Sequence, residues 1–191
     1  GALEAGRRRL EKSLTRAEAK GKIASAAEVL DRIHLVTDLE AMADRQVVIE
    51  AILEDEAAKI ELFHRLDEIV IDPRAILGSN TSSIPIMKLG AGTKRPSQVI
   101  GIHFFNPVPV LKLVELVPSL LTSKETLQRS HAFVETKLNK TAIDCQDRAG
   151  FVVNALLIPF ILSAIRMMES GFATADDIDA GMVEGCNHPM G

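Results

Sequence analysis

Short apolar runs alternate with amphipathic stretches along most of the chain. Leu3, Leu10 and Leu14 recur at helical spacing among Arg, Glu and Lys, which predicts an amphipathic helix over Ala2–Lys22. Ser25 is placed to cap a short helix ending at Leu30, and Asp38 to cap another over Leu39–Ala43. Between them Arg32–Val36 (RIHLV) alternates apolar and polar, the period of a strand. Gln46–Ile52 (QVVIEAI) predicts a buried strand interrupted only by Glu50. Ala58, Leu62, Leu66 and Ile69 share one face of a helix over Asp55–Ile71. Ala75–Ser79 (AILGS) reads as a strand that runs into the polar stretch Ser79–Ser83. A short helix over Ile84–Leu89 and a loop over Gly90–Pro96 follow. Val99–Phe105 and Leu113–Val117 are the next strands, Ser123 caps a helix reaching about Leu138, and Thr141–Cys145 (TAIDC) is the last strand.

This β/α alternation with short buried strands predicts an α/β fold, a parallel, doubly wound sheet of Rossmann-like type. The pattern changes after Gly150. Phe151–Ser170 is apolar nearly all round, which predicts a helix buried on several sides. Gly171 ends it, Thr174 caps the next, and Ala175–Glu184 is helical. The expected division is therefore a nucleotide-type domain over residues 1–148 and an all-α segment over 149–191.

Apolar residues make up 47% of the 191, enough for a substantial core. Charged residues are 25% and the net charge is −4, which gives no electrostatic footprint for nucleic acid. Positive charge does gather locally, at Arg7–Arg9, Lys12, Arg16, Lys20 and Lys22. Two cysteines, Cys145 and Cys186, imply a reducing compartment, the cytoplasm, without a disulfide framework. The longest apolar run holds Asn154, Pro159 and Ser163 and is too short to cross a membrane. No Cys or His pairs stand at metal-ligand spacing. With no Trp and no Tyr, a tyrosine acid is excluded. The chain opens inside a helical pattern and stops at His188–Gly191, a turn, so a longer protein is the expectation.

The residues richest in chemistry lie in Val99–Glu115 (VIGIHFFNPVPVLKLVE). A buried strand delivers His103 to its C-terminal end, where open α/β sheets place their ligands. A turn at Asn106–Pro109 and a return strand would bring Glu115 back beside His103. A carboxylate there fixes the imidazole tautomer of a general base; the alternative is a structural histidine near a surface Glu. Ser79–Ser83 (SNTSS) ends another buried strand and suits either a ligand or, through Thr81 or Ser82, a helix N-cap. Glu50, inside a strand, requires a partner, while Glu54 and Lys59 suit a surface contact worth little. Asn154, in an otherwise apolar helix, needs backbone, a neighbour or a ligand for its amide. His34, His64 and His131 read as solvated surface residues.

Four segments together resemble the L-3-hydroxyacyl-CoA dehydrogenase family, and within it the bacterial 3-hydroxybutyryl-CoA dehydrogenases. They are VVIEAILEDEAAKIELFHRLD, ILGSNTSSIPI, GIHFFNPVPVLKLVELV, and GFVVNALL with GFATADDIDAGM and HPMG. The resemblance implies oxidation of a (3S)-3-hydroxyacyl-CoA to the 3-oxoacyl-CoA, with hydride passing to NAD and NADP left open. It implies His103 as general base, Glu115 as its partner, Ser82 as a hydrogen-bond donor to the substrate oxygen, and Asn154 as the contribution of the helical domain. Glu54, Lys59, Ser82 and Asn106 would touch NAD, and Ser13 and Lys20 would meet CoA. A homodimer through the helical domain, fatty acid β-oxidation, and neither a nucleic-acid nor a membrane partner complete the implied picture. The sequence departs from the family pattern in having Ala155 after the site Asn, and in carrying no GxGxxG turn. These residues alone are therefore expected to bind NAD weakly and not to turn over. Two other readings on the same fold stay open, a non-catalytic crystallin-like protein and a sugar-acid dehydrogenase.

Overall fold

The computed structural model describes residues 1–191, the side chain of Ala2 excepted. A five-stranded sheet runs in the order β1 (Val47–Glu50), β2 (Ile76–Ser79), β3 (Val99–Phe104), β4 (Leu113–Pro118), β5 (Thr141–Asp144). The connections β1–α3–β2, with α3 spanning Glu56–Ile69, and β2–α4–β3, with α4 spanning Ile86–Ala91, give parallel pairs. β3 and β4 pair antiparallel, and β4 and β5 pair parallel across α5 (Lys124–Ala132). The sheet is thus mixed and not wholly parallel. The link from Phe105 to Lys112 is too short for a crossover, which takes a dozen or more residues, so the chain must return antiparallel.

Both faces of the sheet are covered. Phe63, Leu66, Leu77, Ile86, Leu89, Val99 and Val117 pack on one face. Ile76, Ile100, Ile102, Val114, Leu116 and Val134 pack on the other. Gly101 lies in the middle of β3, where a Cβ would stand 2.8 Å from Val117 Cβ and 3.0 Å from Ile86 Cδ1. The absence of a side chain there lets α4 sit against the strand, and α4 follows directly from the Ser79–Ser83 turn.

Side-chain caps set most helix starts. Ser25 accepts from Glu28 N before α2 (Ala26–Leu30), Asp55 from Ala58 N before α3, and Ser123 from Thr126 N before α5. Asp38 accepts from Glu40 N and opens a single 3₁₀ turn, Leu39–Met42. The first helix, α1, spans Ala2–Ala19 and packs mainly on α2.

Arg32–Val36 forms no strand. It has the alternation but no ladder partner, and Ile33, Leu35 and Val36 stay exposed with His34 among them. The long apolar helix α6 (Val153–Glu169) forms as expected, yet none of its residues is buried. Leu156, Ile158 and Phe160 are 70%, 50% and 43% exposed, because few elements of this chain lie over them. It is followed by α7 (Ala175–Ala180), capped by Thr174. His131 is not simply solvated. Its Nε2 stands 2.6 Å from Asp144 Oδ1, at the end of β5. Among the described residues no helix is long and apolar enough to cross a membrane.

Candidate active site

The carboxyl ends of β1, β2 and β3 lie together, since Glu50 is in register with Ser79 and Ser79 with Gly101. His103 projects two residues further along β3 and is 4% exposed. The antiparallel return sets His103 directly opposite Glu115 on β4. The His103 Nδ1–H donates to Glu115 Oε2 at 2.8 Å. A carboxylate only accepts, so this bond puts the proton of a neutral ring on Nδ1 and leaves the Nε2 lone pair free. Ser82 Oγ lies 3.1 Å from that Nε2. Phe105 and Phe151 meet the imidazole edge-on, at centroid distances of 4.8 and 5.3 Å, and screen it from water.

Glu115 is fully buried and serves a second partner. Its Oε1 accepts from the backbone N–H groups of Val152 and Val153, at 3.0 and 2.9 Å. These are orphan donors of the first turn of α6, and an anion there is favoured by the helix dipole. The turn that aims them has positive φ at Gly150 (78°) and Phe151 (47°). One carboxylate therefore holds the base on one side and the start of the helical segment on the other. Asn154 follows one residue later. It is partly exposed, and its amide has no protein hydrogen-bond partner among the described residues.

The Ser79–Ser83 turn is clamped by Glu54. Glu54 Oε1 accepts from Thr81 Oγ1 at 2.5 Å, Ser82 N at 2.9 Å, Ser83 N at 3.1 Å and Ser83 Oγ at 3.0 Å. Burial alone would raise its pKa, but the hydrogen bonds from Thr81, Lys59, Ser82 and Ser83 outweigh that and hold it down to about 2. Lys59 is not a surface contact. At 1% exposure it lies between Glu50 Oε1 at 2.7 Å and Glu54 Oε2 at 3.1 Å, which gives Glu50 the partner its strand position requires. Thr81 does act in the turn as a local acceptor, bonding Ile84 N at 2.9 Å. The start of α4 is instead met by Asp147, whose two oxygens accept from Ile86 N and Met87 N, both at 2.9 Å.

The structure therefore gathers His103, Glu115, Ser82, Glu54 and Lys59 into one connected set, with Asn154 next to it in sequence from Val153. Asn106 lies exposed in the loop beyond β3, and Ser13 and Lys20 are exposed on α1. Among the described residues no hydrogen bond joins these three to the set. Sequence reasoning missed Thr81 as a clamp, Asp147 as the acceptor for α4, and the two phenylalanine walls. Phe105 and Phe151 carried a signal, one two residues after His103 and the other directly after Gly150. Asp147 was visible only as a residue at the change of pattern. Among the described residues no cluster suits a metal ion.

The chain matches the family model for 3-hydroxyacyl-CoA dehydrogenase, NAD binding domain, over residues 1–148. It matches that for 3-hydroxyacyl-CoA dehydrogenase, C-terminal domain, over residues 150–191. It is 54% identical over 191 residues to a 3-hydroxybutyryl-CoA dehydrogenase of Mycobacterium tuberculosis (strain ATCC 25618 / H37Rv), covering 99% of this chain and 67% of that protein. Among solved structures, FadB2 of M. tuberculosis superposes with a TM-score of 0.96 at 54% identity, over 99% of this chain and 67% of the other. (S)-3-hydroxybutyryl-CoA dehydrogenase from Ralstonia eutropha gives 0.94 at 41% identity, over 100% and 67%.

Proposed function

This chain belongs to the 3-hydroxyacyl-CoA dehydrogenase family, and from that premise we propose that it oxidises the 3-hydroxyl of a (3S)-3-hydroxyacyl-CoA, with 3-hydroxybutyryl-CoA as the preferred substrate, using NAD. The observation that carries the reading is the continuous line Glu115–His103–Ser82, with spacings of 2.8 and 3.1 Å at the carboxyl end of the sheet. His103 Nε2 takes the proton of the substrate 3-hydroxyl. The Nδ1–H bond to Glu115 keeps that lone pair available and shares the positive charge that then develops on the ring. Ser82 Oγ donates to the same substrate oxygen and fixes its direction. Asn154, whose amide is unengaged by protein, supplies a further hydrogen bond from the helical segment. Phe105 and Phe151 keep water from the base, which strengthens each of these interactions.

The residues fit a nicotinamide ribose. Glu54 is a carboxylate held ionised, with its side chain 40% exposed, and such a group accepts from vicinal hydroxyls. Ser82 and Asn106 are exposed hydrogen-bonding groups at the same strand ends. Lys59 is enclosed, so its part in NAD binding runs through Glu54. When bound, NAD accepts the hydride from the substrate carbon, which is the chemistry the protein itself lacks.

Residues 1–148 form the NAD-binding domain and 149–191 the start of a helical domain. Ser13 and Lys20, exposed on the basic helix α1, meet the CoA phosphates. The exposed apolar residues of α6 support a homodimer through the helical segment. Free cysteines support a cytoplasmic setting, with β-oxidation of fatty acids as the role. The decisive experiment follows NADH formation by the intact enzyme with NAD and either enantiomer of 3-hydroxybutyryl-CoA. Turnover of the 3S form alone is expected. Preference for the 3R form, or for a free sugar acid, overturns the reading.

A further inference from the structure

The turn that carries Ser82 is held through its backbone by a chain of polar groups, rooted in the core, through which neither the proton nor the hydride of the reaction passes. Its root is Glu50, at the end of β1 and 3% exposed. Glu50 Oε2 accepts from Ser79 Oγ at 2.6 Å, and its Oε1 accepts from Ile52 N at 2.6 Å and Lys59 Nζ at 2.7 Å. Lys59 passes the link to Glu54, and Glu54 gathers the Thr81 hydroxyl with the N–H groups of Ser82 and Ser83. Thr81 is fully buried and closes the chain on the α4 side by accepting from Ile84 N.

We propose that Thr81 and Glu50 are positioning residues of the dehydrogenase reaction, acting through Lys59 and Glu54 to hold the Ser82 hydroxyl in line with His103 Nε2. The proposal rests on the reading of Ser82 and His103 as the reacting site. Residues 80–85 belong to no helix or strand, so the place of Ser82 is set by what its backbone bonds to. Its N–H goes to Glu54, which itself lies on an exposed turn and is immobilised by Lys59 of α3, in turn paired with Glu50 at the end of β1. Thr81 places its hydroxyl on the same oxygen and keeps the turn tight. Neither Thr81 nor Glu50 has surface with which to touch a reactant. A misplacement of about 1 Å at a site of this kind costs on the order of 10²-fold in rate.

The test is a double-mutant cycle in the intact enzyme. Thr81→Val keeps the shape and removes the hydroxyl, and Thr81→Ser restores it. With Thr81→Val, kcat is expected to fall by ~10- to 100-fold while Thr81→Ser stays within ~3-fold of the parent. In a Ser82→Ala background the same Thr81→Val change is expected to alter kcat by less than ~2-fold, because its effect runs through the missing hydroxyl. A merely structural role would lower kcat by the same factor in both backgrounds, and that result overturns the proposal. Parental kcat in Thr81→Val beside a crippled Ser82→Ala removes the proposal alone. Parental kcat in Ser82→Ala removes the reading of the site and the proposal with it. If Thr81→Val does not fold, Glu50→Gln, which keeps size and removes the charge facing Lys59, enters the same cycle under the same criteria.

Discussion

Replacing Glu115 with Gln changes one atom, and the structure says which way the new amide must turn. Glu115 Oε1 accepts two backbone N–H groups, from Val152 and Val153, while Oε2 accepts the proton on His103 Nδ1. Placing an amide NH2 against the two helix donors would leave three donors facing one another. Each buried donor stripped of its acceptor costs about 1–3 kcal/mol. The amide oxygen therefore stays with Val152 and Val153, and the amide nitrogen faces His103. An NH2 only donates, so Nδ1 must accept, and the ring proton moves to Nε2. That nitrogen then offers a proton to the substrate hydroxyl instead of removing one. Loss of the base by a tautomer switch of this kind is worth ~10²–10⁴-fold in kcat, or about 2.7–5.4 kcal/mol of barrier. The α6 contacts survive, so the fold is expected to persist. The assay is kcat for NADH formation at saturating substrate, with circular dichroism melting to show a folded protein and nitrogen-15 spectra of His103 to read its tautomer. A folded Glu115→Gln enzyme with kcat within ~3-fold of the parent, or with the proton still on Nδ1, refutes the reasoning.

Glu54 makes stability depend on acid. Its folded pKa is held at about 2, below the ordinary 4.5, so its stabilising bonds are fully present above 4.5 and fade as pH falls toward 2. Urea midpoints of the parent are expected to drop more steeply between about pH 5 and about pH 3 than those of Glu54→Gln, and equal slopes would contradict the clamp. Cys145 is buried, and its thiol is pushed up to about 11 by that burial and by the nearby Glu115 charge, whereas Cys186 is exposed. A thiol reagent at neutral pH is expected to label Cys186 alone in the folded protein and both in urea, as peptide mass spectrometry would show.

How far the sequence could be read differs from one element to the next. His103 and Glu115 were legible together because strand, short turn and return strand allow few registers, and the one found sets them opposite. Apolar period located α3, and Ser123 located the start of α5 because it does locally what its type predicts, whereas the cap at Asp55 emerged only in the structure. Arg32–Val36 misled, since alternation describes a strand's faces but says nothing about a partner to complete its ladder. The burial expected of α6 also failed, because an apolar helix states a need for cover and not what provides it. Thr81 was hidden among five small polar residues whose individual roles depend on where Glu54 reaches. Lys59 could be placed on its helix, but its enclosure between two carboxylates follows from the β1–α3 packing and not from any local pattern.

The most direct measurement is the turnover of His103→Gln in the intact enzyme. Glutamine keeps a hydrogen-bonding side chain at the end of β3 but offers no nitrogen that takes a proton near neutral pH. With (3S)-3-hydroxybutyryl-CoA and NAD both saturating, NADH formation is expected to fall by ~10²–10⁴-fold while the variant melts as one cooperative unit and still binds NADH. A folded His103→Gln enzyme that keeps more than half of the parental turnover would contradict the assignment of His103 as the base.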